Sequence, residues 1–241
     1  MSWTIVPLNL GVLQDRPKES ITFRRGTGEK IDLVCISWLL LGEHGPIVID
    51  TGPGSAAVTS RLHPVVLAPR EPLTSQLRGK GVAPADVRTV VLTHLHWDHC
   101  HGTAALPGAR VLLQEEEIRY AVYPLPCDRV LYEFASGPPF LADLPRMVAV
   151  AGRTEVAPGI VLIPTPGHSP GHQSVLVETE AGPYLIAGDH YDLYENLHEM
   201  CPSGPTPDLA RWYRSFQEVE RLRATVLPGH DPAVLEQESY G

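Results

Sequence analysis

Thr93-His94-Leu95-His96-Trp97-Asp98-His99-Cys100-His101-Gly102 decides how this 241-residue chain is read. Four of the eleven histidines crowd into it, with an aspartate among them. The preceding Thr89-Val90-Val91-Leu92-Thr93 is β-branched and apolar, the composition of a buried strand. Gly102 and the small residues after it can open a helix. Reactive side chains at the end of a buried strand mark a site in an α/β fold. In an extended run, side chains at i, i+2 and i+4 point the same way. His94, His96 and Asp98 then share a face as the strand runs out, and His99 follows at the turn. Neutral imidazole with carboxylate is a ligand set that suits zinc and its borderline relatives.

Working outward, Trp3–Leu10 reads as a first strand, followed by a polar, turn-rich stretch over 14–30. Ile31–Leu41 and Pro46–Asp50 read as strands joined by Gly42-Glu43-His44-Gly45, a hairpin connection. Residues 55–64 are mixed, and Pro72–Lys80 is a short helix stopped by Gly81. Beyond the cluster come a strand over Ala109–Leu113 and a helix over Gln114–Tyr123. Residues 124–150 are irregular: prolines break them, and Tyr132, Phe134, Phe140 and Met147 make them apolar. Strands follow at Val161–Thr165, Gln173–Glu178 and Pro183–Ala187. Thr206 is expected to cap a helix with Pro207 at its first position and Asp208 in its first turn. Leu209, Trp212, Tyr213, Phe216 and Val219 give that helix its apolar face, and Thr225–Leu227 is a last strand. No short repeat or linker appears, so residues 1–241 read as one domain. This order fits two face-to-face sheets with helices outside, one option among mixed α/β folds.

A 43% hydrophobic content supports a substantial core, while a net charge of −9 leaves no basic excess for nucleic-acid phosphates. No apolar run is long enough for a membrane span, and the start lacks the pattern of a signal peptide. Cys35, Cys100, Cys127 and Cys201 form no Cys-x-x-Cys pair and suit reduced thiols in a cytoplasmic protein.

His168, Asp189 and His230, each beside a glycine at another strand end, extend the cluster to five histidines and two aspartates. That is too many for one tetrahedral ion and suits two ions sharing a carboxylate. His101, His172 and His190 lie close to these positions and read as hydrogen-bonding partners of ligands. For His172, capping a turn is an equal reading. Asp50 reads as a turn former or as an orienter of a ligand. His44, His63 and His198 read as ordinary satisfied or exposed histidines.

His-x-His-x-Asp-His at 94–99, Gly167-His168, Gly188-Asp189 and Gly229-His230, with Asp50-Thr51-Gly52 ahead of them, resemble the metallo-β-lactamase superfamily. The resemblance implies a four-layer αβ/βα sandwich of two mixed β-sheets flanked by helices. It implies that His94, His96 and His168 bind a first metal, that Asp98, His99 and His230 bind a second, and that Asp189 bridges them. Zinc is the expected pair, and the same ligands accept manganese, iron or cobalt. Thr165-Pro166-Gly167-His168-Ser169-Pro170-Gly171-His172 and Glu195-Asn196 look like the N-acyl homoserine lactone lactonases. This implies quorum quenching: a hydroxide shared by the two cations opens the lactone ring, with Asp98 shuttling a proton. In those lactonases a tyrosine three residues past the bridging aspartate contacts the substrate carbonyl. Here that position is Asp192, so Tyr191 or Tyr194 is expected to serve. A small lactone or other ester is the expected partner, without nucleic acid or membrane, and the relatives are compatible with a homodimer. The 124–150 stretch is a candidate wall for an acyl chain or an ordinary covering loop.

Three other readings stand beside this one. A thioester hydrolase of the glyoxalase II kind shares the ligands, and a non-catalytic metal or small-molecule binder uses no turnover. Gly167-His168-Ser169-Pro170-Gly171 also matches a serine nucleophile elbow. Pro170, however, has no N–H for an oxyanion hole.

Overall fold

A computed structural model describes residues 2–63, 65–133 and 135–241. Pro64 and Phe134, which the sequence reading places in the mixed and apolar stretches, lie outside the described residues. The strands are β1 (Thr4–Pro17), β2 (Lys30–Leu41), β3 (Ile47–Ile49), β4 (Val66–Pro69), β5 (Thr89–Val91), β6 (Arg110–Gln114), β7 (Met147–Val150), β8 (Thr154–Ala157), β9 (Ile160–Pro164), β10 (Gln173–Thr179), β11 (Gly182–Ile186) and β12 (Thr225–Leu227). The helices are α1 (Ala56–Leu62), α2 (Leu73–Gly79), α3 (Trp97–Cys100), α4 (Glu115–Val122), α5 (Tyr194–His198) and α6 (Leu209–Leu222). One sheet has the order β4-β1-β2-β3-β5-β6-β7 and the other β12-β11-β10-β9-β8, and both are mixed.

Side-chain alternation assembles the layers. In β2, Val34, Ile36, Trp38 and Leu40 face the second sheet, while Leu39 faces the helices. Val175 and Val177 of β10 meet the first set, and Leu176 between them turns to α6. The core between the sheets therefore contains Trp3, Trp38, Ile49, Leu162 and Ile186. Leu73 and Leu77 of α2 and Ala121 of α4 cover the outer face of the first sheet. Trp212, Phe216 and Val219 of α6 cover the second. The result is the expected four-layer sandwich with helices on both outer faces.

Several boundaries differ from the sequence reading. β1 runs on to Pro17 through irregular pairing with β2, so the polar stretch begins later than expected. Residues 55–64 contain α1, capped by Ser55, whose Oγ accepts the N–H of Val58 at 3.4 Å. Edge strands β4, β7 and β8 were not anticipated. Asp208, not Thr206, caps α6: its Oδ1 accepts the Arg211 N–H at 2.8 Å. Ser215 joins the buried face, whereas Leu209 and Tyr213 are exposed. No described helix is long and apolar enough to cross a membrane.

Two parallel pairings position the site. β3 lies parallel to β5, so the turns after Ile49 and Val91 leave side by side. β11 lies parallel to β12, so Gly188-Asp189 and Gly229-His230 also leave together. Gln173, opening β10, ties the sheets: its N–H donates to Thr93 O at 2.9 Å and its amide to Leu92 O at 2.8 Å. All four strand ends thus meet at one edge of the sandwich.

Candidate metal centre

Asp50 ends β3 in the left-handed region, with φ of +54°, a conformation costing roughly 1–2 kcal/mol for a non-glycine residue. Its carboxylate is held from the neighbouring turn. Oδ1 accepts the Thr93 N–H at 2.7 Å, and Oδ2 accepts the Thr93 hydroxyl and the His99 Nδ1–H, both at 2.8 Å. The expected orienting role fits this geometry.

The cluster is not a continued strand. β5 stops at Val91, an irregular segment carries His94 and His96, and α3 begins at Trp97. The turn at Trp97 splits the expected single face in two. His94, His96, His168 and Asp189 form one group, and Asp98, His99 and His230 another, with ligand atoms in each within 4.8 Å of one another. Asp189 stands between them. Its Oδ2 lies 3.3 Å from His168 Nε2 and 3.8 Å from His94 Nε2, and its Oδ1 lies 3.1 Å from both His99 Nε2 and His230 Nε2. His168 Nε2 is also 3.0 Å from His96 Nδ1.

In His94, His168 and His230 the other ring nitrogen points away to a fixed partner. His94 Nδ1 meets Thr93 Oγ1 at 3.0 Å, His168 Nδ1 meets Ser203 Oγ at 3.2 Å, and His230 Nδ1 donates to Val34 O at 2.8 Å. Such partners fix ring orientation and tautomer so that the other nitrogen faces the site. His172 serves both of its alternatives. Its Nε2 accepts the Asp189 N–H at 3.1 Å, and its Nδ1 donates to Thr165 Oγ1 at 2.9 Å within a loop.

Within this buried group His94 Nε2, His99 Nε2 and Asp189 Oδ1 make no well-aligned hydrogen bond, despite the 3.1 Å approaches of Asp189 Oδ1 to the two imidazoles. An unsatisfied buried polar atom costs about 1–3 kcal/mol. Convergent imidazole and carboxylate atoms fit divalent cations, which would satisfy all three. The electrostatics agree. Burial, then His99 and His96, hold the His94 imidazole well below its ordinary range. Burial would raise Asp189, yet His99, His230 and His168 hold it well below the carboxylate range. Burial would lower His230, yet Asp189 and Asp98 raise it to about 9. Metal binding replaces such protons with a cation.

Asp98, His96, His168, Asp189 and His230 open into a cavity of about 720 Å³. Its apolar wall includes Leu13, Ile21, Phe23, Leu33, Trp97 and Leu131, and Arg16 lies beside them with a buried Nε that has no partner. The wall comes chiefly from β1, β2 and the intervening loop. From 124–150, only Leu131 lines the cavity among the described residues.

The tyrosines require correction. Tyr191 is fully buried on the far side of its strand-like segment, its ring set against Trp212 and Phe216. Tyr194 opens α5, packs toward the core between the sheets and stacks on His198. Neither lines the cavity among the described residues, whereas Asp192 does. Side chains alternate along 191–192, and the sequence puts the acid on the cavity side. Burial and Asp189 push the Asp192 carboxyl well above the ordinary range.

Among the other histidines, His190 and His101 depart from expectation, whereas His63, His44 and His198 follow it. His190 hydrogen-bonds no ligand: both ring nitrogens are unpartnered, and burial lowers its imidazole to about 3. His101 donates to Glu133 rather than to a ligand, at 2.8 Å. His63 is buried and satisfied by Glu133 at 2.9 Å, and His44 and His198 are exposed. All four cysteines are free. Ser169 does not face the cavity: its hydroxyl donates to Glu117 Oε2 at 2.6 Å, which removes the serine-nucleophile reading. Sequence reasoning missed Glu117, Glu133, Ser203 and the Val34 carbonyl.

Residues 31–230 match the metallo-beta-lactamase superfamily. The chain belongs to that superfamily. Among curated members of this superfamily, an N-acyl homoserine lactonase of a Bacillus species is 32% identical over 230 residues, covering 88% of this chain and 85% of the relative. That of Bacillus cereus is 31% identical, covering 92% and 89%. A solved mutant of the B. thuringiensis lactonase AiiA, with N-decanoyl-L-homoserine bound at its active site, aligns with a TM-score of 0.80. It is 25% identical and covers 98% of this chain and 96% of its own. An N-acyl homoserine lactone hydrolase with N-hexanoyl-L-homoserine at its catalytic metal centre aligns at 0.78 and 26% identity, covering 98% and 95%.

Proposed function

We propose that this chain is a lactonase that opens N-acyl homoserine lactones or close analogues at a pair of divalent cations, zinc by ligand preference. One observation carries the reading: the two oxygens of Asp189 divide between two groups of ligand atoms at the floor of an apolar-walled cavity. A closed structural site needs four ligands, and six side chains around the shared Asp189 carboxylate exceed that. The lactonase relatives support the substrate class, and quorum quenching would follow from it.

His94, His96 and His168 would hold one ion, and Asp98, His99 and His230 the other, with Asp189 shared. When bound, the ions supply a nucleophile from water near neutral pH and polarise the ester carbonyl. The chain's own residues do the rest. Asp98 has the most open side chain of the seven, 14% exposed, and would carry a proton to the leaving alkoxide oxygen. Leu13, Ile21, Leu33 and Trp97 exclude water and accommodate an acyl chain. The Arg16 side chain also lines the cavity and supplies a positive charge beside the bound molecule. A cytoplasmic location and a homodimer belong to the same proposal.

The test is a hydrolysis screen on protein of measured metal content, using acyl homoserine lactones, acyl-glutathione thioesters and phosphodiesters. Lactones should turn over at least tenfold faster than the others and lose that turnover on chelation. Faster release of thiol from the glutathione esters would transfer the assignment to a thioester hydrolase.

A further inference from the structure

Glu117 sits in the first turn of α4, fully buried. Four donors surround it. Oε1 accepts the Leu95 N–H at 3.1 Å and the Tyr132 hydroxyl at 2.9 Å. Oε2 accepts the Ser169 hydroxyl at 2.6 Å and the Gly171 N–H at 3.1 Å. A carboxylate has about four acceptor positions, so this one is filled and has none left for substrate.

The donors come from two ligand-bearing loops. Leu95 lies between His94 and His96, and Ser169 follows His168. Tyr132 sets its ring edgewise on His96, with centroids 4.8 Å apart. The approach is so close that a Cβ on Gly171 would fall 2.0 Å from the Glu117 nitrogen, which requires glycine there. The other ligand group is held without Glu117: His99 by Asp50, which also accepts the Thr93 hydroxyl beside His94, and His230 by the Val34 carbonyl.

We propose that Glu117 is a positioning residue for one of the two cation sites, clasping the His94–His96 loop to the His168 loop and so setting that site's affinity. The proposal rests on the ligand assignment of the preceding section. Removing the clasp frees His168 to drift from His94 and His96, while His99 and His230 keep their own supports.

The experiment titrates metal-free protein with Co²⁺, following visible absorption bands, and with Zn²⁺ by equilibrium dialysis. In Glu117→Gln the amide presents N–H where at least one donor needs an acceptor. One of two ions should bind roughly 10- to 100-fold more weakly, the usual effect of losing a ligand's supporting partner, and the other should stay within threefold. Glu117→Asp should recover part of the loss. Placed on His168→Ala, Glu117→Gln should add nothing, because the site it supports is already broken. Leu77→Ala, on the buried face of α2 and outside the ligand loops, should destabilise the fold and leave both affinities intact. Equal weakening of both ions, unchanged affinities, or a full additional effect on His168→Ala would each overturn the proposal. Should Glu117→Gln fail to fold, Ser169→Ala and Tyr132→Phe each remove one bond and must show smaller losses at the same single site. Wild-type protein that binds fewer than two ions would instead overturn the underlying assignment.

Discussion

Asp50 Oδ2 receives the Nδ1–H of His99 at 2.8 Å, which leaves His99 Nε2 directed at Asp189. Asp50→Asn tests that relationship without changing shape. An amide N–H in place of Oδ2 forces the His99 proton onto Nε2, the atom that must stay free for a cation. One ion should be lost or weakened by roughly 10- to 100-fold, with the circular dichroism of the fold retained. Full occupancy by two ions in the Asn variant would show that Asp50 is only a turn former.

Metal removal should be visible in stability as well as activity. Two aspartates and five histidines converge with unpartnered atoms, so the metal-free chain keeps buried polar groups unsatisfied. An ion at a thousand times its Kd stabilises by about 4 kcal/mol, which for a chain of this size raises Tm by roughly 10 °C. Chelation should therefore lower Tm by that amount and re-addition should restore it. A Tm indifferent to chelator, in protein shown to have lost its metal, would argue against a folded-state cation site.

Glu133 gives a pH dependence whose sign follows from its partners. Burial would raise its carboxyl, but bonds from His101 and His63 outweigh burial and bring it from 4.5 to about 2. A depressed folded-state value stabilises above the unfolded value and is lost as pH falls through the folded one. The stability advantage of wild type over Glu133→Gln should be full above pH 4.5, up to about 3 kcal/mol, and shrink as pH falls toward 2. Urea titrations of metal-free protein at several pH values measure it. An advantage that grew on acidification would reverse the assignment.

The convergence of these seven side chains was legible because they carry their chemistry in their identity and share a local pattern. The Trp97 turn was less so. Alternation predicts one face for His94, His96 and Asp98, but α3 starts between them and sends Asp98 to the other group. The supporting partners were hidden for another reason. Glu117 lies in a run of three glutamates that reads as a solvated helix start, and only its contacts with Leu95 and Ser169 distinguish it. β4, β7 and β8 escaped because they are four-residue edge strands, whose pairing depends on partners distant in sequence.

The side chains after Asp189 separate a family-derived expectation from what this chain offers. Tyr191 hides an unpartnered hydroxyl against Trp212 and Phe216, so Tyr191→Phe removes a buried polar group that bonds to nothing. That change should be neutral or stabilising by about 1 kcal/mol, and kcat/KM on an acyl homoserine lactone should stay within twofold. Tyr194→Phe should be equally silent in kinetics. Asp192 is different: it lines the cavity, and its Oδ1 is buried without a partner. Asp192→Ala should lower kcat/KM about tenfold or more if this cavity-lining carboxyl, rather than either tyrosine, contacts the substrate. Metal content in all three variants should match wild type, because none of these side chains belongs to either ligand group. A large kinetic loss in Tyr191→Phe with Asp192→Ala unaffected would mean that the segment rearranges when substrate enters, bringing the tyrosine to the carbonyl after all.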